Sequence, residues 1–216
     1  MPSSHAIVLP GGGYQEHAPH EAEPVAAWLE SLGISASVFR YPLNTRHPGP
    51  LNAVQAEIAA HRQQAPVVGV IGFSAGGHLG GQAALASERS DRGRPDFALL
   101  GYAITSMETD TYKPAQDILL GPDASDELRR QTSLDRLAHR GAPPFFMWHT
   151  AEDSYVPPEH SYRLAAALAA HNVAHALHVF EHGEHSLGLA EGAAETGRWT
   201  DLAAVWLHEH TTGPGA

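Results

Sequence analysis

Apolar and polar positions along this chain follow two periods, and the switching between them lays out a fold. The runs "HAIVLP" (5–10), "SASVF" (35–39), "PVVGVIGF" (66–73), "FALLGY" (97–102), "PPFFMWH" (143–149) and "HALHVF" (175–180) have strand length and strand-like side chains. Between them the apolar spacing opens to three and four. Val25, Trp28, Leu29 and Leu32 share one helical face that Gly33 stops. Leu51, Val54 and Ile58 mark a second helix, and a third starts at Ala75. A fourth lies near 159–171, and Trp199, Leu202, Ala203 and Trp206 repeat the spacing in the last. The run 66–73 is apolar on both faces, as a central parallel strand is. Strands alternating strictly with helices predict a three-layer α/β fold of about six parallel strands in one domain over 1–216.

Segment 103–142 breaks the alternation. It is long and polar, and a connection of that length inside a domain usually serves as a lid or binding insertion. Its helical part, Ser125 to Arg140, is expected over the carboxyl edge of the sheet.

Composition narrows the function classes. Thirteen basic residues against 24 acidic give a net charge of −11, which argues against nucleic acid or an anionic membrane as partner. No apolar stretch approaches the ~20 residues of a membrane span. The opening "MPSSHAIVLPGGGY" has no basic region before its short apolar run, so cytoplasmic residence is the expectation. Cysteine is absent, which removes disulfides, thiolate zinc sites and cysteine nucleophiles together.

One stretch carries chemistry. In "VVGVIGFSAGGHLGGQ" (67–82) an apolar strand ends in G-x-S-x-G and a helix follows, carrying Gly76, Gly77, Gly80 and Gly81. Each internal glycine costs a helix about 1 kcal/mol relative to alanine. Close approach to neighbouring strands and an exposed Ser74 hydroxyl, lifted on a sharp strand-to-helix turn, account for that cost. A serine needs a base to become a nucleophile. Here the acid and then the histidine should follow, each after a strand. Asp153 in "WHTAEDSYVP" and His185 in "VFEHGEHSLGLA" stand in that order, with Glu152 and His182 as near competitors. Gly183 permits a tight turn before His185, which favours it. For the oxyanion, the amide of Ala75 and those of Gly12 and Gly13 in "PGGGY" are the candidate donors. The alternative reading of His182, His185, Asp153 and Glu184 as metal ligands fails on spacing, because H-G-E-H matches no helical zinc motif. No metal or other cofactor is expected.

Together these segments resemble the α/β-hydrolase superfamily, and within it acetyl esterases and carbohydrate esterases that deacetylate xylan. "LPGGGY", "HEAEPVAAWLESLGI", "YPLNTRHPGPL", "GFSAGGHL", "RPDFALLGY", "PPFFMWHTAEDSYVP" and "HGEHSLGLA" carry the likeness over nearly the whole chain. The resemblance implies hydrolysis of short acyl esters, typically acetyl, of sugars or small alcohols through an acyl-serine. It carries nucleophile, acid and base onto Ser74, Asp153 and His185, and it also matches Tyr14 and His78, as structural or substrate-binding positions. Relatives usually have two more strands before the oxyanion loop and a longer loop before the nucleophile strand. Without those strands, "SASVF" should lie at an open edge, which invites pairing with a second copy. Competing readings are a carboxylesterase, thioesterase or formamidase on non-sugar substrates, and a non-catalytic binding protein on a hydrolase scaffold.

Overall fold

Strand β1 (Ser4–Leu9) enters the sheet directly, buried at all six positions. The computed structural model describes residues 4–86 and 91–211. Helix α1 (Glu23–Ser31) follows and is closed by Gly33 at φ +79°, the left-handed position that glycine takes without a Cβ clash. Strand β2 (Ser35–Val38), helix α2 (Gly49–His61), strand β3 (Val67–Phe73) and helix α3 (Ser74–Leu85) come next. Strand β4 (Phe97–Gly101), strand β5 (Phe145–Thr150), helix α7 (Glu159–Ala170), strand β6 (His175–Phe180) and helix α8 (Trp199–Thr211) complete the alternation. The sheet runs β2-β1-β3-β4-β5-β6, every pairing parallel. This is the α/β-hydrolase arrangement. Among the described residues no helix is long and apolar enough to cross a membrane.

Two cores flank the sheet. Ile7, Leu9, Val70, Leu79, Leu100 and Met147 pack on one side, and Val8, Ile71, Leu99, Trp148 and Trp199 on the other. The inner strands alternate between these two layers, which is why they read as unbroken apolar runs. Strand β2 lies at the edge, as its serines suggest, and is half-buried throughout. Its serine face is occupied: the His5 imidazole bridges Ser35 Oγ at 3.0 Å and Ser37 Oγ at 2.8 Å and stacks on His61 with centroids 3.9 Å apart.

The glycines of α3 are explained by proximity. A Cβ on Gly76 would stand 2.1 Å from the Leu9 carbonyl oxygen, and one on Gly81 2.3 Å from Leu134 Cδ1. The helix therefore lies against the backbone of β1 at its start, which sets the serine directly over the carboxyl ends of the strands.

Segment 103–142 departs from the single helix expected over 125–140. It holds α4 (Lys113–Leu120), α5 (Asp126–Gln131) and α6 (Leu134–Leu137). The break at Thr132–Ser133 has a cause. Both hydroxyls donate back to carbonyls of α5, Thr132 to Leu128 and Ser133 to Arg129, each at 2.8 Å. Ser133 Oγ also accepts the Met107 N–H at 2.8 Å, and the Leu134 N–H reaches the Thr105 carbonyl at 2.7 Å. Side-chain bonds of this kind compete with helix continuation. They pin the segment onto the loop that leaves β4.

Candidate functional site

Ser74 stands where β3 becomes α3 with no intervening loop, at φ +49°. That left-handed backbone costs a non-glycine residue about 1–2 kcal/mol. The strain aims the side chain away from the sheet, and the residue is 7% exposed at the floor of a cleft. Ser74 Oγ lies 2.9 Å from His185 Nε2, and His185 Nδ1 lies 2.6 Å from Asp153 Oδ2. An ionised carboxylate only accepts, so His185 carries its proton on Nδ1 and leaves Nε2 free to accept the serine hydroxyl.

Asp153 is held ionised. Its Oδ1 accepts the N–H groups of Tyr155 at 3.0 Å and Val156 at 2.9 Å. Its Oδ2 also faces His149 Nε2 at 3.2 Å. Burial alone would raise this carboxyl, but the hydrogen bonds from His149, His185 and Val156 outweigh it and hold it well below the usual carboxylate range. His149 is itself fixed, with Nε2 2.8 Å from the Val156 carbonyl and Nδ1 2.8 Å from Ser161 Oγ.

The rivals in the same loops go elsewhere. His182 Nδ1 pairs with Glu152 Oε1 at 3.0 Å, with both side chains more than half exposed. Glu152 Oε2 accepts the Gly183 N–H at 2.9 Å, so this pair braces the turn before His185.

Gly12 (φ +113°) and Gly13 (φ +62°) form the cleft wall together with Gln15 and Glu16, whose N–H groups both bond the Gly12 carbonyl. The Ala75 N–H belongs to the first turn of α3, where no i−4 acceptor exists. The positive end of the helix dipole adds to it. Ser74, His185, Ser186, Tyr112 and Tyr155 complete a cavity of about 370 Å³.

Tyr14 and His78 are not part of it. Both are wholly buried, and the Tyr14 hydroxyl donates to His78 Nδ1 at 2.6 Å while His78 Nε2 donates to the Thr132 carbonyl at 2.8 Å. Burial, and then Tyr41, push the Tyr14 phenol up, so it remains a donor. The substrate-binding reading of these two residues is therefore corrected. They tie the glycine loop, α3 and segment 103–142 to one another.

Sequence reasoning passed over a second buried carboxylate. Glu21 is 0% exposed and accepts from three distant groups: the Gly11 N–H at 2.6 Å, the Tyr102 hydroxyl at 2.8 Å and Ser186 Oγ at 2.7 Å. Tyr102 in turn accepts the Gly188 N–H at 2.8 Å and sets its ring 5.0 Å from His185. Tyr102 and His149 could have been found by position, since each lies at the carboxyl end of a strand, where α/β sheets place their sites. Glu21 gives no such signal.

A model of the prolyl oligopeptidase family matches residues 51–213. The chain is 32% identical over 205 residues to endo-1,4-beta-xylanase B of Butyrivibrio fibrisolvens, covering 85% of this chain and 32% of that protein. It is 35% identical over 117 residues to an acetylxylan esterase of Xylanibacter ruminicola, covering 50% and 24%. It thus spans about a third or less of these curated relatives. The solved acetyl ester-xyloside bifunctional hydrolase of Caldicellulosiruptor lactoaceticus superposes with a TM-score of 0.90 at 37% identity, covering 95% of this chain and 82% of that one. The carboxylesterase Cest-2923 of Lactobacillus plantarum WCFS1 does so at 0.82 and 27%, covering 95% and 85%. By its matched residues, its six-stranded parallel sheet and its strand-to-helix serine, the chain belongs to the prolyl oligopeptidase family of α/β-hydrolases.

Proposed function

We propose that this chain is a serine esterase that removes short acyl groups, acetyl above all, from carbohydrates or small alcohols. The observation that carries the reading is the unbroken relay from Ser74 Oγ through His185 to Asp153, at 2.9 and 2.6 Å, opening into a cavity of about 370 Å³. Ser74 attacks the ester carbonyl while His185 Nε2 takes its proton, and Asp153 stabilises the imidazolium. The amides of Ala75, Gly12 and Gly13 receive the oxyanion, each such donor typically contributing about 2.7–4 kcal/mol. Collapse returns the proton from His185 to the departing alcohol and leaves an acyl-Ser74. Water, deprotonated by His185, then attacks the acyl carbonyl, and as the bond to Ser74 Oγ breaks His185 returns the proton to the serine and the acid leaves. Every proton moves between Ser74, His185, substrate and water, so these residues suffice for the reaction.

The acetyl and sugar parts of the proposal draw on the relatives named as an acetylxylan esterase and an acetyl ester-xyloside hydrolase. Polar Gln15 and Glu16 at the cleft also suit a hydroxyl-rich substrate. A carboxylesterase on non-sugar esters is the second reading, favoured by the likeness to Cest-2923.

The test is hydrolysis of p-nitrophenyl acetate and of acetylated xylo-oligosaccharides by wild type and Ser74→Ala. Deacetylation of the sugar, with a loss of several orders of magnitude in the variant, is expected. Cleavage of the aryl ester alone leaves the non-sugar reading. Equal inertness of both proteins refutes the enzyme.

A further inference from the structure

We infer that Tyr112, supplied by segment 103–142, is the wall that limits the acyl chain at Ser74. This rests on the esterase reading above. A tetrahedral carbon on Ser74 Oγ has three other directions to fill. The oxyanion points to the Ala75, Gly12 and Gly13 amides. The leaving oxygen must come within hydrogen-bond reach of His185 Nε2 to be protonated, which takes it past Tyr155, whose ring lies 5.9 Å from the His185 ring and is 58% exposed. The acyl substituent has what remains.

Besides the residues already placed, the cavity is lined by the polar Gln15–Glu16 pair, by Ser186 and by the Tyr112 ring. An apolar acyl chain favours the aromatic surface, since burying it against a carboxylate would strip water from the charge. The ring lies against the glycine loop. A Cβ placed on Gly13 would meet Tyr112 Cε1 at 2.9 Å and Cδ1 at 3.3 Å. Tyr112 therefore rests directly on the glycine proposed to hold the oxyanion, at the wall of the cavity.

Its backbone is anchored. Tyr112 caps α4, its carbonyl accepting the Ala115 N–H at 3.0 Å, and the next turn is anchored by Gln116 Nε2 to the Met107 carbonyl at 2.7 Å. The ring also leans on Tyr155, with centroids 5.9 Å apart at 60°. The segment thus closes the acyl side of the site through Tyr112, while the alcohol side stays open past Tyr155.

The test holds the leaving group constant and varies the acyl chain. For p-nitrophenyl acetate, butyrate and hexanoate, kcat/KM of the wild type should fall at least tenfold from acetate to hexanoate, a single methylene misfit in such a pocket being worth about tenfold or more. Tyr112→Ala should raise the hexanoate-to-acetate ratio at least tenfold. Tyr112→Leu should give an intermediate ratio and provides the reading if the alanine variant does not fold, and Tyr112→Phe should keep the wild-type ratio. Active leucine or alanine variants with the wild-type ratio overturn the assignment of Tyr112 and leave the esterase standing. A wild type that cleaves none of the three esters removes the esterase reading and this inference together.

Discussion

Glu21 Oε2 accepts the backbone N–H of Gly11 at 2.6 Å, while the other oxygen of the same carboxylate accepts from Tyr102 and from Ser186. A single buried side chain thereby links the glycine loop on one side of Ser74 to the loop that carries His185 on the other. Neither loop has regular structure to fix it, so their separation is held by this link together with His20, whose Nε2 donates to the Ser186 carbonyl at 2.9 Å.

Glu21→Gln should test it. An amide keeps the shape but not the charge: either its NH2 faces the Gly11 N–H, or the Tyr102 and Ser186 hydroxyls must turn from donating to accepting, so the charge-assisted pairings are lost. An unsatisfied buried polar group costs roughly 1–3 kcal/mol, more where charge is involved. The expected outcome is a loss of about that size in unfolding free energy and a fall of at least tenfold in kcat at a KM changed much less. A fall in melting temperature with kcat intact would make Glu21 structural only.

Asp153→Asn should cost about 10⁴-fold in kcat, because the amide can donate to His185 Nδ1 and so favours the wrong tautomer. The same substitution has a sign in stability. Burial raises the Asp153 carboxyl, but hydrogen bonds from His149 and His185 more than offset it, leaving it depressed. A depressed carboxyl stabilises the fold above its unfolded value of about 3.9, and that stabilisation is lost as pH falls through the acid range. Wild type should therefore lose stability below about pH 4 more steeply than the asparagine variant, as read by denaturant unfolding at pH 3 to 5. Parallel curves would show that the carboxylate contributes no such linkage.

His78 acts on the same acid limb, beginning at higher pH. Burial, helped by nearby His47 and His160 and opposed by its bond to the Thr132 carbonyl, lowers it from 6.5 to about 4. The unfolded chain takes up this proton as pH falls below about 6.5, whereas the folded protein refuses it until about 4. Stability therefore declines through that window, by up to about 3 kcal/mol for this group at 1.36 kcal/mol per unit. His78→Gln should be less stable at pH 7, where the bond from Tyr14 is weakened, yet its melting temperature should fall less between pH 6.5 and 4. An unchanged slope would mean that other buried histidines dominate the acid limb.

The sequence disclosed what depends on neighbours along the chain. Ser74, Asp153 and His185 each follow an apolar strand, so their meeting at the carboxyl edge was legible from their order along the chain, with Glu152 and His182 as near competitors. So was the edge place of β2, from Ser35 and Ser37 alternating with Ala36 and Val38. What stayed hidden depends on partners far away. Glu21 looks like a solvated acid at a helix entry until Gly11, Tyr102 and Ser186 converge on it. Tyr14 and His78 sit beside the motifs and read as either structural or pocket residues, and only their bond across 64 positions, which turns them inward, decides between the two. Helix α4 was missed although Ala115, Gln116, Leu119 and Leu120 stand on one helical face, because the helix is only eight residues long and Gln116 interrupts its apolar stripe.

The glycines of α3 give two substitutions whose outcomes should diverge. Alanine at either Gly76 or Gly81 gains about 1 kcal/mol of helix propensity. At Gly76 the new methyl would meet the Leu9 and Pro10 carbonyl oxygens at 2.1 and 2.5 Å, backbone atoms at the end of β1 and just beyond it that cannot swing aside. Relief requires pushing α3 off the sheet and moving Ser74 with it, so Gly76→Ala should destabilise by at least about 3 kcal/mol, at the upper end of overpacking costs, and abolish ester hydrolysis. At Gly81 the nearest atom is Leu134 Cδ1 at 2.3 Å, the tip of a side chain that can rotate. Gly81→Ala should therefore cost less than about 1 kcal/mol net and retain catalysis. Chemical denaturation of both variants alongside an ester assay separates the cases. Equal destabilisation would mean that α3 does not owe its glycines to the approach of β1, and that the strained placement of Ser74 has another source.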